Sequence, residues 1–83
     1  MLEIITKSKT RQKLLKLLLL NKNQKFYLSE IAQKIDVSIG TTQRELNKLA
    51  NFEMVISEKR GNMRYYFINK QNQFLNELKK IVI

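Results

Sequence analysis

The hydrophobic pattern of this chain changes period at Phe52, and that change restricts the fold more than any single motif. Up to Asn51 the apolar residues recur three and four apart, as they do along one face of a helix. Thr42, Leu46 and Leu49 show this spacing within Ser38–Asn51, SIGTTQRELNKLAN. After Asn51 the chain reads as two short runs of strand formers. The first begins at Phe52 and Met54 and continues through Val55, Ile56, Ser57 and Glu58; the second is Arg64–Ile68, RYYFI. Between them Lys59–Met63 predicts a loop centred on Gly61-Asn62, a pair suited to the positive φ of a tight turn. The helical period returns at Gln73–Ile83, where Phe74, Leu78 and Ile81 line one side and Leu75 and Val82 widen it. Helices, then a hairpin, then a helix make a mainly α fold with one β-hairpin.

The first half of the chain divides in the same way. Met1–Lys7 is expected to be a helical or extended lead-in that rests Leu2, Ile4 and Ile5 on the core. Ser8 can cap a helix from Lys9 to about Asn21. Its leucines 14, 15, 17, 18 and 19 cover half the circumference or more, wider than one core face needs. Two readings follow: the helix also meets a second subunit, or the extra leucines cover the C-terminal helix of the same chain. Asn21–Lys25 is a polar loop and Phe26–Tyr27 a strand stub. Leu28–Lys34 forms a short helix with Ile31, Ala32 and Ile35 inward. Ile35-Asp36-Val37 turns tightly and lands Val37 in the core, just before Ser38 caps the next helix. Two helices joined by so short a turn, the second with a polar outer face, make a helix-turn-helix.

That outer face carries Thr41, Gln43, Arg44, Asn47 and Lys48, hydrogen-bonding side chains of the kind that reach base edges and phosphates. Gly40 lies in the first turn. A helical glycine costs about 1 kcal/mol against alanine, and close approach to another backbone or to DNA would explain it.

With 83 residues the chain is one small domain and is marginally stable unless something adds to its core. No proline or low-complexity linker divides it. Its parts are residues 1–21 (lead-in and first helix), 28–51 (helix-turn-helix), 53–68 (hairpin) and 73–83 (last helix). Sixteen basic against seven acidic residues give a formal charge of +9 at pH 7, which makes a nucleic acid the leading partner. Residues 1–25 hold seven of the basic side chains against Glu3 alone, a solvated face or one near phosphate. With neither cysteine nor histidine, zinc sites, thiol or imidazole nucleophiles and a histidine pH switch are excluded. The scattered acids and the missing glycine-rich phosphate loop offer no enzyme site, and neither cofactor nor metal is expected. The apolar run Leu17–Leu20 is too short for a membrane span, and Met1–Thr6 lacks the core of a signal peptide, so a cytoplasmic protein is expected.

A helix-turn-helix followed at once by a basic hairpin is the winged-helix arrangement, and Phe26–Asn69 resembles the winged helix-turn-helix transcription regulators of the ArsR-like group. The resemblance rests on Glu30-Ile31-Ala32, Ser38, Gly40-Thr41, Arg44-Glu45-Leu46, Leu49, Gly61-Asn62 and Tyr65-Tyr66. SKTRQKLLKLLLLN, ahead of it, is similar to the group's first helix. The resemblance implies a recognition helix in the major groove, with Ser38, Gly40, Thr41, Gln43, Arg44, Asn47 and Lys48 as its contacts. Arg44 would pair with guanine, or else serve a phosphate or a neighbouring acid; Gln43 would read adenine. The wing would offer Lys59, Arg60, Asn62 and Arg64, unless Arg64 pairs with Glu58 across the hairpin. Tyr65, Tyr66 and Phe67 are expected to pack rather than stack on bases. Three features depart from the group. No thiolate metal sensor can be built without cysteine. Thr42 stands where a branched aliphatic is usual, and Glu45 lies inside the basic surface.

The mechanism expected is a homodimeric repressor on near-palindromic double-stranded DNA, whose contact buries the surplus apolar residues Leu15, Leu19, Leu75, Leu78 and Val82. A protein–protein adaptor and a sequence-indifferent architectural nucleic-acid binder are the alternatives.

Overall fold

A computed structural model describes residues 7–83. The lead-in expected over Met1–Lys7 therefore lies, Lys7 apart, outside the described residues. Helix α1 spans Lys9–Leu20, and the Ser8 hydroxyl accepts from the Arg11 amide at 3.2 Å, as its cap position predicts. At the other end the Asn21 side-chain amide donates to the Leu17 carbonyl at 2.8 Å. Strand β1 is Phe26–Tyr27, and helix α2, Leu28–Ile35, follows without a break. The backbone N–H of Tyr27 donates to Glu30 Oε1 at 2.9 Å, so a first-turn carboxylate satisfies an amide at the helix start.

Two left-handed residues shape the motif. Asp36, at φ 57°, ends α2, and the Val37 amide turns back to the Ala32 carbonyl at 3.1 Å. Ser38 then caps α3, Ile39–Asn51, by accepting from the Thr41 amide at 3.3 Å. Glu53, at φ 59°, ends α3. Its amide donates to Ala50 at 3.0 Å and that of Met54 to Leu49 at 3.1 Å, the paired closure of a Schellman motif. This corrects the expected start of the hairpin. Phe52 and Met54 belong to the helix stop, because the closing bonds hold them there, and β2 begins one residue later, at Val55–Arg60.

The hairpin is also tighter than its sequence suggests. Strand β3 is Met63–Ile68, so Lys59 pairs with Arg64 and Arg60 with Met63, leaving only Gly61-Asn62 as the turn. Gly61 has φ 58° and Asn62 is not left-handed, the signature of a turn with glycine in its first central position. The sheet runs β1-β3-β2, antiparallel throughout, with Phe26 opposite Tyr66. Helix α4 is Leu75–Val82, shorter than expected at its start because Asn72 Oδ1 holds the Phe74 amide at 2.7 Å in a turn.

The core explains the wide arc of leucines on α1. That helix packs against α2, α3, α4 and β3 of the same chain, so neighbours surround more than one of its faces. Leu14, Leu15 and Leu18 are fully buried and Leu19 nearly so, each adding about 1.5–3 kcal/mol over an exposed side chain. Leu78 on α4 is buried as well. Leu15, Leu19 and Leu78, expected at a dimer contact, are thus covered by elements of their own chain. Leu75 and Val82 remain half-buried, and Leu20 and Ile83 are 60% and 62% exposed.

Candidate nucleic-acid interface

Helix α3 turns Leu46, Leu49 and Thr42 into the core and leaves Gln43, Arg44, Asn47 and Lys48 in solvent. Ser38 and Gly40 are exposed at its start and Thr41 is half-buried. A Cβ built on Gly40 would meet nothing within 4 Å, and its φ is not left-handed. No backbone among the described residues therefore requires a glycine there.

Arg44 makes no ion pair within hydrogen-bonding reach of a described acid; its guanidinium donates to Thr41 Oγ1 at 3.3 Å, along the exposed face. Glu45 is accounted for differently from its reading as an exposed acid on a basic surface. It is largely buried and takes the Arg11 guanidinium of α1 at 2.6 Å, with the Lys48 ammonium at 3.9 Å. A charge-assisted bond of this kind contributes about 1.5–3 kcal/mol. It ties α3 to α1 and neutralises an acid that would otherwise repel phosphate. Arg11, one of the seven early basic residues, is thus structural.

The wing divides its cations between two faces, because side chains alternate along a strand. Val55, Tyr66 and Ile68 are buried, so the face they define is the inner one, and Lys59 and Arg64 belong to it. Arg64 donates to Ser57 Oγ at 2.6 Å on that face and does not meet Glu58, which rules out the pairing considered from sequence. Arg60 lies on the outer face, where its Nε donates to Glu58 Oε1 at 3.2 Å and its guanidinium stands 5.7 Å from the centre of the Tyr65 ring. Lys25, from the loop after α1, donates to Glu58 Oε2 at 3.0 Å. Bonds from Lys25 first, and then from Arg60, hold the Glu58 carboxyl below its ordinary value.

The expected packing role of the aromatic residues agrees with their positions. Tyr66 is fully buried, and Tyr65 stacks on Tyr27 with ring centres 4.2 Å apart and the two hydroxyls hydrogen-bonded.

Recognition helix and wing meet across one cleft of about 360 Å³, lined by Ile39 and Gln43 of α3, Asn62, Met63 and Arg64 of the wing, and Ser29 at the start of α2. Ile39 and Met63, 53% and 46% exposed, are apolar groups that sequence reasoning passed over. Ile39 directly follows the helix cap, a position where an apolar side chain reads as core. Its exposure beside Gln43 suits contact with a thymine methyl. Among the described residues there is no group of three His, Cys, Asp or Glu side chains that could hold a metal, and no helix long and apolar enough to cross a membrane.

This is the winged helix-turn-helix fold: four described helices with a three-stranded antiparallel sheet whose last two strands form the wing. No family model and no curated protein matches the chain. Solved structures do. The AntR antimony-specific transcriptional repressor aligns with a TM-score of 0.78 at 19% identity, over 95% of this chain and 68% of that one. A possible transcriptional regulator from Methanosarcina mazei Go1 aligns at 0.75 and 18% identity, over 98% and 72%. Human N-acetylserotonin methyltransferase aligns at 0.65 and 15% identity, over 80% of this chain but only 19% of its own. At such identities the likeness is one of fold, and it agrees with the ArsR-like resemblance of Phe26–Asn69.

Proposed function

We propose that this chain is a sequence-specific, double-stranded DNA-binding transcription regulator that works as a homodimer and represses by occupying its site. The observation that carries the reading is the meeting of two elements at one cleft: the uncovered polar face of α3 and the inner, basic strand edge of the wing. The overall charge of +9 and the regulator neighbours support it. Gln43, Arg44 and Asn47 would read base edges, Ser38, Thr41 and Lys48 would serve phosphates, and Gly40 would let the backbone come close. Lys59, Arg60, Asn62 and Arg64 would follow the DNA backbone at the wing. Repression needs only occupancy, which a domain of this kind supplies without a second surface.

The dimer would form on what α1 and α4 leave uncovered, namely Leu20, Leu75, Val82 and Ile83. Its recognition helices would enter successive major grooves, with half-sites about 10–10.5 bp apart.

Selection of bound duplexes from a random library at physiological salt tests the reading. A near-palindromic motif with half-sites one helical turn apart is the expected result. Salt-sensitive binding with no enriched motif would replace it with an architectural role, and no binding at all with a protein-adaptor role.

A further inference from the structure

On the outer face of the wing, turned away from the recognition helix, lies a second hollow of about 290 Å³. Its floor is apolar: Ile56 and Phe67 stand opposite each other on β2 and β3, and Ile56 is 39% exposed although it lies within the paired strands. Its rim is cationic. Lys22, Lys25 and Lys70 line it, and no acid among the described residues does. The Lys25 ammonium stands 4.9 Å from the centre of the Phe67 ring. Lys70 donates to Asn23 Oδ1, which fixes it at the rim and leaves two of its three N–H donors. Lys22 approaches the Lys79 ammonium of α4 closely enough to push Lys79 below its ordinary value. Like charges held together in this way gain from any anion placed beside them.

We propose that this hollow binds a small organic carboxylate with an aromatic body, the ring lying on Ile56 and Phe67 and the carboxylate held by Lys22 and Lys70. The volume sits at the low end of ligand pockets, about 300 Å³, which suits one or two fused rings and is too small for a nucleotide. Exposed apolar floor and cationic rim together match an occupant with one flat apolar part and one negative group.

The site also connects to the wing tip, an extension that rests on the DNA-binding reading. Lys25, on the rim, holds one oxygen of Glu58, and Arg60 is held by the other. The negative charge of the occupant, held by Lys22 and Lys70, also draws Lys25 toward the hollow and leaves Glu58 to Arg60 alone. Arg60 is then kept on the outer face and away from phosphate, so the occupant weakens DNA binding.

Titration of 2-naphthoate into the isotopically labelled full chain, followed by amide chemical shifts, tests the site without DNA. Saturable shifts centred on Lys22–Lys25, Ile56 and Phe67–Lys70 are expected, with the uncharged isostere 2-naphthamide at least about tenfold weaker. The double variant Lys22→Gln, Lys70→Gln alters two exposed side chains only and should lose the same factor while keeping the unliganded spectrum. No saturable shift at these amides, shifts centred on α3 instead, or equal binding of acid and amide would each overturn the site. So would a DNA duplex that perturbs the same amides, since the lysines would then serve phosphate. The coupling has its own readout: saturating 2-naphthoate should weaken binding to the selected duplex, and Glu58→Gln should abolish that effect. Unchanged DNA affinity with the hollow filled would overturn the coupling. A chain that binds no DNA leaves the chemical-shift result intact as the test of the site.

Discussion

Replacing Gly40 by alanine should move stability and DNA affinity in opposite directions. Gly40 is the second residue of α3, its φ is not left-handed, and an added Cβ would touch nothing within 4 Å. Alanine therefore adds no strain to the free protein. It gains helix propensity and lowers the entropy of the unfolded chain, together about 0.5–1 kcal/mol. For a domain of this size that raises Tm by about 2–8 °C. On DNA the sign reverses. The new methyl stands on the exposed first turn, where the proposed interface brings a backbone close, and a loss of about tenfold, or ~1.4 kcal/mol, is expected. Thermal melts by circular dichroism give the first quantity, and fluorescence anisotropy on the selected duplex gives the second. A variant that is more stable and binds unchanged would refute the account of Gly40 as a point of DNA approach. A less stable variant would refute the claim that nothing within the chain needs the glycine.

Other expectations concern single side chains. Arg44→Ala should cost about 1–3 kcal/mol on the selected duplex and relax one base position; an equal loss on scrambled DNA would make Arg44 a phosphate contact. Thr42 is fully buried and its hydroxyl finds no hydrogen-bond partner among the described residues, so the near-isosteric Thr42→Val should stabilise by about 1–2 kcal/mol in urea unfolding. Glu53→Gly relieves a left-handed residue while keeping the backbone carbonyl that accepts from Asn69 and Asn72, and should raise the unfolding midpoint by an amount equivalent to about 0.5–1 kcal/mol. Glu58, held below its ordinary value of 4.5, adds stability that is complete above 4.5 and is lost as pH falls through the lower folded value. The acid limb of stability against pH, measured by urea midpoints, should flatten in Glu58→Gln.

Much of the architecture was legible because it rests on local rules. Caps at Ser8 and Ser38 are read from one side chain and the amide it faces. The inward set Thr42, Leu46 and Leu49 follows from spacing, and Gly61-Asn62 marks its own turn. The misses have a common origin in closures that carry no residue signature. Phe52 and Met54 read as strand because glutamate is not expected in the left-handed conformation that ends α3. Ile39 was passed over, and the surplus of Leu15 and Leu19 reads either as an interface or as cover for the last helix. Periodicity counts apolar residues on a helix but not the number of elements that will surround it.

The sequence by itself determined the order of helices and hairpin, the polar face of α3, the positive charge and the exclusion of thiolate and imidazole chemistry. Each depends on residue identity or on neighbours a few positions apart. Tertiary structure decided which charges are spent within the chain. Arg11 reaches Glu45 across 34 positions and Lys25 reaches Glu58 across 33, so neither pair is written in local spacing. It also decided that the wing's arginines face opposite ways. One residue of hairpin register exchanges the two faces of a strand, and that register is set where β2 and β3 pack on the core.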